Sequence, residues 1–204
     1  MNLYLARHGQ DEDNANGILN GHRDTPLTNM GIEQSEKLAE SLRDSGLKID
    51  KIYTSPLKRA IQTAEILSHI LHTEKPTPLP ELIERDFGVM TGKKVSEIEK
   101  YCKKNILKTQ HTTYFLSPKN AETFPELFER AKQVLKLLEN ESSEANILLV
   151  THGDLGKMVY AAFYEIKWQD VLLDVHFKNA DSLLLCKKWD HQKQIVAVPI
   201  FKQP

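Results

Sequence analysis

The chain has 204 residues, 40% hydrophobic and 27% charged, enough for one ordinary core and short for two. Its 27 lysines and arginines against 28 acids leave a formal net charge of −1. No global positive field therefore attracts nucleic acid or an anionic membrane, and any anionic ligand must be met by a few placed cations.

No segment approaches the roughly 18–20 apolar residues of a bilayer span. The apolar start from Met1 to Ala6 is too short, before Arg7, for a signal peptide. Cys102 and Cys186 cannot make a disulfide framework and read as thiols in a reducing compartment. These features predict a single domain over 1–204 in a soluble cytoplasmic protein, with neither nucleic acid nor membrane as a partner.

In chain order, Leu3-Tyr4-Leu5-Ala6 reads as a short buried strand. A helix is expected from Thr28 to Arg43, capped by Thr28 and stopped at Gly46, with Gly31 an early blemish in it. Ile52–Thr54 predicts a strand running into Ser55-Pro56. Pro56 suits the first turn of a helix whose buried stripe is Ala60, Ala64, Leu67 and Leu71.

Three prolines make Lys75–Pro80 a loop. A second helical stripe runs through Phe124, Leu127, Phe128, Ala131, Leu135 and Leu138. Ile147–Val150 reads as a buried strand, Leu155–Tyr164 as a helix, and Ser182–Cys186 and Ile195–Val198 as two closing strands. The alternation predicts an α/β three-layer sandwich, a mainly parallel sheet with helices on both faces. An exposed edge strand near Ser182–Cys186 could support a homodimer.

Sheets of this kind place their sites where strand C-termini run into loops. Arg7-His8-Gly9, Ser55 and Thr151-His152-Gly153 each follow a predicted strand. Two histidines at adjacent strand tips, each followed by a glycine that lets a ligand approach the backbone, suggest a shared pocket. A zinc site needs three or four ligands. His69 and His72 lie far along a helix, and Arg7 is an unwelcome neighbour for a divalent cation, so no metal and no cofactor is expected. Arg7, and Arg59 in the first turn of a helix, point instead to a phosphate held by guanidinium groups and helix amides.

Leu5-Ala-Arg-His-Gly-Gln10 with Asn14 and Asn20-Gly21 resembles the signature of the histidine phosphatase superfamily, which includes cofactor-dependent phosphoglycerate mutases. Asp24-Thr-Pro-Leu-Thr28 with Gly31, and Ser55–Ala64, resemble its next blocks. Leu82–Gly88 with Gly92, and Val150-Thr-His-Gly153, complete the order. The resemblance implies a metal-independent phosphatase acting on a small phosphorylated metabolite. His8 would be the nucleophile, with Arg7, Arg59, His152 and Asn14 gripping phosphate oxygens. Asn20, Gly21 and Gly153 would also contact substrate, and Glu84 would be the general acid and then the base.

The same electrostatic reading expects cations to lower the pKa of both His8 and Glu84, with His152 partly charged. The runner-up functions are a phosphoglycerate mutase and a non-catalytic phospho-ligand scaffold. Against the mutase stand Phe87, where mutases commonly have tyrosine, and the absence of arginine from Lys100–Pro118, although Lys93 and Lys94 could meet a second anion. Asp11-Glu12-Asp13 is expected to face solvent. A specificity lid is expected around 93–120, with Tyr101, His111, Tyr114 and Phe115 on it.

Overall fold

A computed structural model describes residues 1–185 and 198–201. In chain order it runs β1 (Asn2–Arg7), α1 (Glu12–Ala15), α2 (Asn29–Asp44), β2 (Lys51–Thr54), α3 (Lys58–Leu71) and β3 (Thr77–Pro78). There follow α4 (Ile98–Cys102), β4 (Ile106–Lys108), β5 (Thr113–Phe115), α5 (Phe124–Leu137) and β6 (Asn146–Thr151). The chain continues through α6 (Gly153–Phe163), α7 (Trp168–Asp174), β7 (Ser182–Leu185) and β8 (Val198–Phe201).

Six strands form one sheet in the order β3-β2-β6-β1-β7-β8. β1, β6, β2 and β3 run parallel, while β7 and β8 are antiparallel to their neighbours. Continuous apolar runs in β1 and β6 mean that both faces of the sheet are covered. Leu3, Leu5, Ile147 and Leu149 pack on the side of α5, α6 and α7. Tyr4, Ala6, Leu148 and Val150 pack on the side of α2 and α3. Each fully buried leucine contributes about 1.5–3 kcal/mol, and the result is the expected three-layer α/β sandwich.

Local differences have local causes. Leu57 is extended and forms the N-cap of α3, so Pro56 lies before the helix rather than in its first turn. The proline-rich stretch contributes a two-residue edge strand, Thr77–Pro78, beside β2. An edge position tolerates the missing N–H of Pro78. Ser182–Leu185 is not an edge, because β1 and β8 flank it. The argument for a dimer through that segment therefore falls away. Cys186 and Ile195–Ala197 lie outside the described residues, and Val198 opens β8.

Candidate active site

β1 and β6 are paired in parallel with Arg7 opposite Thr151, so His8 and His152 emerge side by side at the C-terminal end of the sheet. Their ring centroids are 5.0 Å apart. The Nδ1 atom of His8 is 2.6 Å from the carbonyl of Gly9, which places its proton on Nδ1 and leaves the Nε2 lone pair free to react. Arg59, fully buried near the start of α3, donates from Nε to that Nε2 at 3.2 Å. Its remaining nitrogens donate to the carbonyls of Arg23 at 2.7 Å and Gly21 at 2.8 Å. Gly21 has φ of 48°, the left-handed turn that lets its carbonyl face the guanidinium.

Burial is the first cause holding His8 well below the ordinary imidazole pKa, followed by the charges of Arg59 and Arg7. His152 is also held well below it, by burial first and then by Arg59, His8 and Arg7. His152 is thus neutral rather than partly charged, and burial matters more than the neighbouring cations. The Ser55 hydroxyl lies 2.7 Å from His152 Nε2. With Ser55 donating, the His152 proton sits on Nδ1, and that buried atom has no hydrogen-bond partner; neither does the Nε of Arg7. Two buried donors without acceptors at one site suit an oxyanion.

Glu84 departs from expectation in sign. Its carboxyl is buried, and burial followed by the charge of Asp154 raises its pKa against the opposing pull of the Arg85 N–H, Arg59 and Arg7. Desolvation of the carboxylate therefore outweighs the cations. Glu84 Oε1 accepts from the backbone N–H groups of Arg85 at 2.8 Å and Leu155 at 3.2 Å, at the N-terminus of α6. Arg130 pins the same loop through the carbonyls of Glu81, Ile83 and Glu84.

The acidic triplet differs from expectation too: Glu12 faces solvent, but Asp11 and Asp13 are buried. Asp11 lies 3.2 Å from Arg59 Nε, accepts from Asn20 Nδ2 at 2.7 Å, and caps α1 through the N–H of Asn14 at 2.6 Å. Asp13 pairs with Arg23 at 2.7 Å. A buried arginine needs a counter-ion, and the chain supplies it from just beyond the first histidine.

Arg7, Asn14, Asn20, Glu84 and Gly153 line a cavity of about 180 Å³ next to this cluster. Phe87 lines it as well, and so do Tyr114 and Phe115 from the hairpin of β4 and β5. Tyr101 is instead exposed, and His111 stacks on His176 at 4.6 Å. Lys93 sits over the Tyr101 ring at 4.1 Å, and neither it nor Lys94 is among the cavity-lining residues. All nine residues singled out from the sequence therefore meet at one end of the sheet.

The family model for the histidine phosphatase superfamily, branch 1, matches residues 3–198. The chain belongs to that superfamily. This histidine phosphatase is 34% identical over 161 residues to a broad-specificity phosphatase of Saccharomyces cerevisiae, covering 78% of this chain and 68% of the relative. It is 27% identical over 202 residues to a 2,3-bisphosphoglycerate-dependent phosphoglycerate mutase of Bartonella bacilliformis, covering 91% of this chain and 96% of the relative. The solved structure of Bacillus stearothermophilus YhfR superposes with a TM-score of 0.75 at 25% identity, covering 90% of this chain and 89% of that one.

Sequence reasoning missed several supporting residues of this histidine phosphatase. Arg85, read only as a charge beside Glu84, is buried between the rings of Phe115 and Phe124 at 4.3 Å from each, and pairs with Asp154 at 2.9 Å. Asn179 donates to the carbonyls of His8 and Gly9 and to Asn14 Oδ1. Nothing in the spacing signals Asn179, which reaches the site from the loop before β7. Asp11 was signalled by its departure from the family's small hydroxyl residue, although the sign of its burial was not.

Proposed function

We propose that the protein hydrolyses small phosphomonoesters without a metal ion, through a phosphohistidine on His8. The observation that carries this reading is the His8 ring, fixed by its Nδ1–H to the Gly9 carbonyl with a neutral Nε2 presented beside Arg59. Nε2 attacks phosphorus, the bond to the leaving oxygen breaks, and Glu84 protonates that oxygen. Water then attacks the phosphorus of phosphohistidine, Glu84 takes its proton, and phosphate leaves with His8 restored. The developing charge is met by Arg7, Arg59 and the Nδ1–H of His152, with Asn14 close by.

Asn20 and Gly21 set the position of Asp11 and of Arg59, and Gly153 leaves room beside the Arg7 guanidinium, where an added Cβ would lie 3.6 Å from its Cζ. The raised pKa of Glu84 supports its role as an acid before substrate binds, without the help of a bound dianion. The segment 93–120 acts as the lid that selects the organic group.

The test is phosphate release from p-nitrophenyl phosphate in the presence of EDTA, for wild type and His8→Ala. Chelator-resistant turnover that falls about 10³-fold or more in the variant supports the reading. Turnover surviving in His8→Ala overturns it. A folded wild type that releases no phosphate points to the mutase or the scaffold reading instead.

A further inference from the structure

The organic half of a bound phosphomonoester falls in the cavity beside Arg7 and Glu84. Leu19, Phe87, Ile98 and Phe115 give part of that cavity an apolar lining, while Lys157 and Tyr114 give it polar groups. Lys157 lies four residues beyond Gly153 on α6, so both share the helix face turned toward the site. Lys157 is nine-tenths buried or more, and its ammonium donates to the Tyr114 hydroxyl.

An ammonium has three N–H donors and no acceptor. Among the described residues, Tyr114 is its one hydrogen-bond partner, so two donors remain unused. Asp154 favours the charged form of Lys157 but is itself held by Arg85 at 2.9 Å. Tyr114 accepts from Lys157 and so keeps its own proton to donate; burial holds this phenol protonated far above its ordinary range. A buried cation left short of acceptors is costly unless a ligand supplies them. Three free donors with no free acceptor are the complement of an oxyanion.

We propose that Lys157 and Tyr114 receive a carboxylate on the organic part of the substrate, making phosphomonoesters of small hydroxy acids the favoured substrates. The inference rests on the hydrolase reading above and names the substrate class of that same site. Charge matching favours a carboxylate over a second phosphate. Lys157 is a single cation, Arg85 is already paired with Asp154, and a phosphate dianion would bring two charges to one ammonium.

The experiment compares kcat/KM for 3-phosphoglycerate and glycerol 3-phosphate, which differ in carboxylate against hydroxymethyl, with p-nitrophenyl phosphate as reference. Wild type is expected to favour 3-phosphoglycerate. Lys157→Met is expected to reduce the ratio of the two kcat/KM values by about 10–100-fold, mainly through KM for 3-phosphoglycerate, from the loss of a charged hydrogen bond. Lys157→Arg should restore part of the ratio. Tyr114→Phe, which keeps the ring in place, should reduce it by about 3–10-fold and guards against misfolding of the lysine variant.

A wild type that hydrolyses p-nitrophenyl phosphate in a His8-dependent way but does not favour the carboxylate overturns the inference and leaves the hydrolase reading intact. An equal loss on both substrates in Lys157→Met and Tyr114→Phe also overturns it, because the pair is then merely structural. Absence of His8-dependent release from all three probes overturns both readings, starting with the hydrolase.

Discussion

At the strand tips, every polar group near His8 except two is held by the protein itself. Arg59 spends its nitrogens on His8, Asp11 and two carbonyls, and Thr63 holds the N–H of Gly9 at 3.0 Å. The wall facing the lid is built differently. Its hairpin rests on a small separate cluster of Phe87, Met90, Ile98, Cys102 and Phe115, and Lys157 has one partner. The first region is over-determined, which fixes reacting atoms before substrate arrives. The second keeps donors in reserve, as expected where one scaffold must accept different organic groups.

The sharpest way to break this contrast is to remove Arg59. Arg59→Ala should lower kcat/KM by about 10³–10⁵-fold, as for other arginines on a transferring phosphoryl group. It should also lower the unfolding free energy by about 3–5 kcal/mol in urea titration, because Asp11 is left buried and unpaired. Adding Asp11→Asn to that variant should recover part of the stability and little of the rate. If Arg59→Ala proves as stable as wild type, the buried pair does not hold the strand-tip region together.

Glu84→Gln comes next in size. The rate on an alkyl phosphate should fall by about 10²–10⁴-fold, and less on p-nitrophenyl phosphate, whose leaving oxygen needs little protonation. The pH dependence has a defined sign. The folded pKa of Glu84 is above its ordinary 4.5, so its contribution favours the fold below that value. That contribution is lost as pH rises through the raised folded pKa. Wild type should therefore lose stability relative to Glu84→Gln between about pH 4 and 8, which equilibrium unfolding at several pH values would measure. His8 sets the other limb: kcat/KM should rise with pH around a value well below 6.5, since the nucleophile must be neutral.

Gly31→Ala probes how closely α2 approaches the loop after His8. A Cβ there would lie 2.0 Å from the carbonyl oxygen of Gln10, a backbone atom that cannot yield cheaply. A loss of about 2–3 kcal/mol is expected in thermal or urea unfolding. The smallest effect belongs to the lid. Asn105→Ala removes the exposed Nδ2 hydrogen bond to Ser117 Oγ, 2.8 Å long, at the open end of the hairpin. About 0.5–1.5 kcal/mol should be lost. A larger loss there would mean that the lid is as tightly coupled to the core as the strand tips are.

Gly31 shows what a sequence conceals. Read locally, it is a fault in a helix; in three dimensions it is the point where α2 touches the backbone beside the nucleophile. Pro56 shows the reverse, a strong local signal displaced by two residues because Leu57 is held extended. Asp11 and Glu84 were both named from the sequence, yet the environment of each was misjudged, because burial is not a property of neighbouring residues in the chain.

The sequence by itself determined the alternation of strands and helices, the three-layer class, and the residues at the strand tips. Those features follow from periodicity and from motifs contiguous in the chain, and both survive without knowledge of packing. Only the tertiary structure decided which charges are desolvated, which histidine nitrogen is free, and that Lys157 and Tyr114 share a cavity with Glu84. Desolvation and hydrogen-bond direction depend on atoms far apart in sequence, so they exist only once the sheet has brought β1, β6 and the lid together.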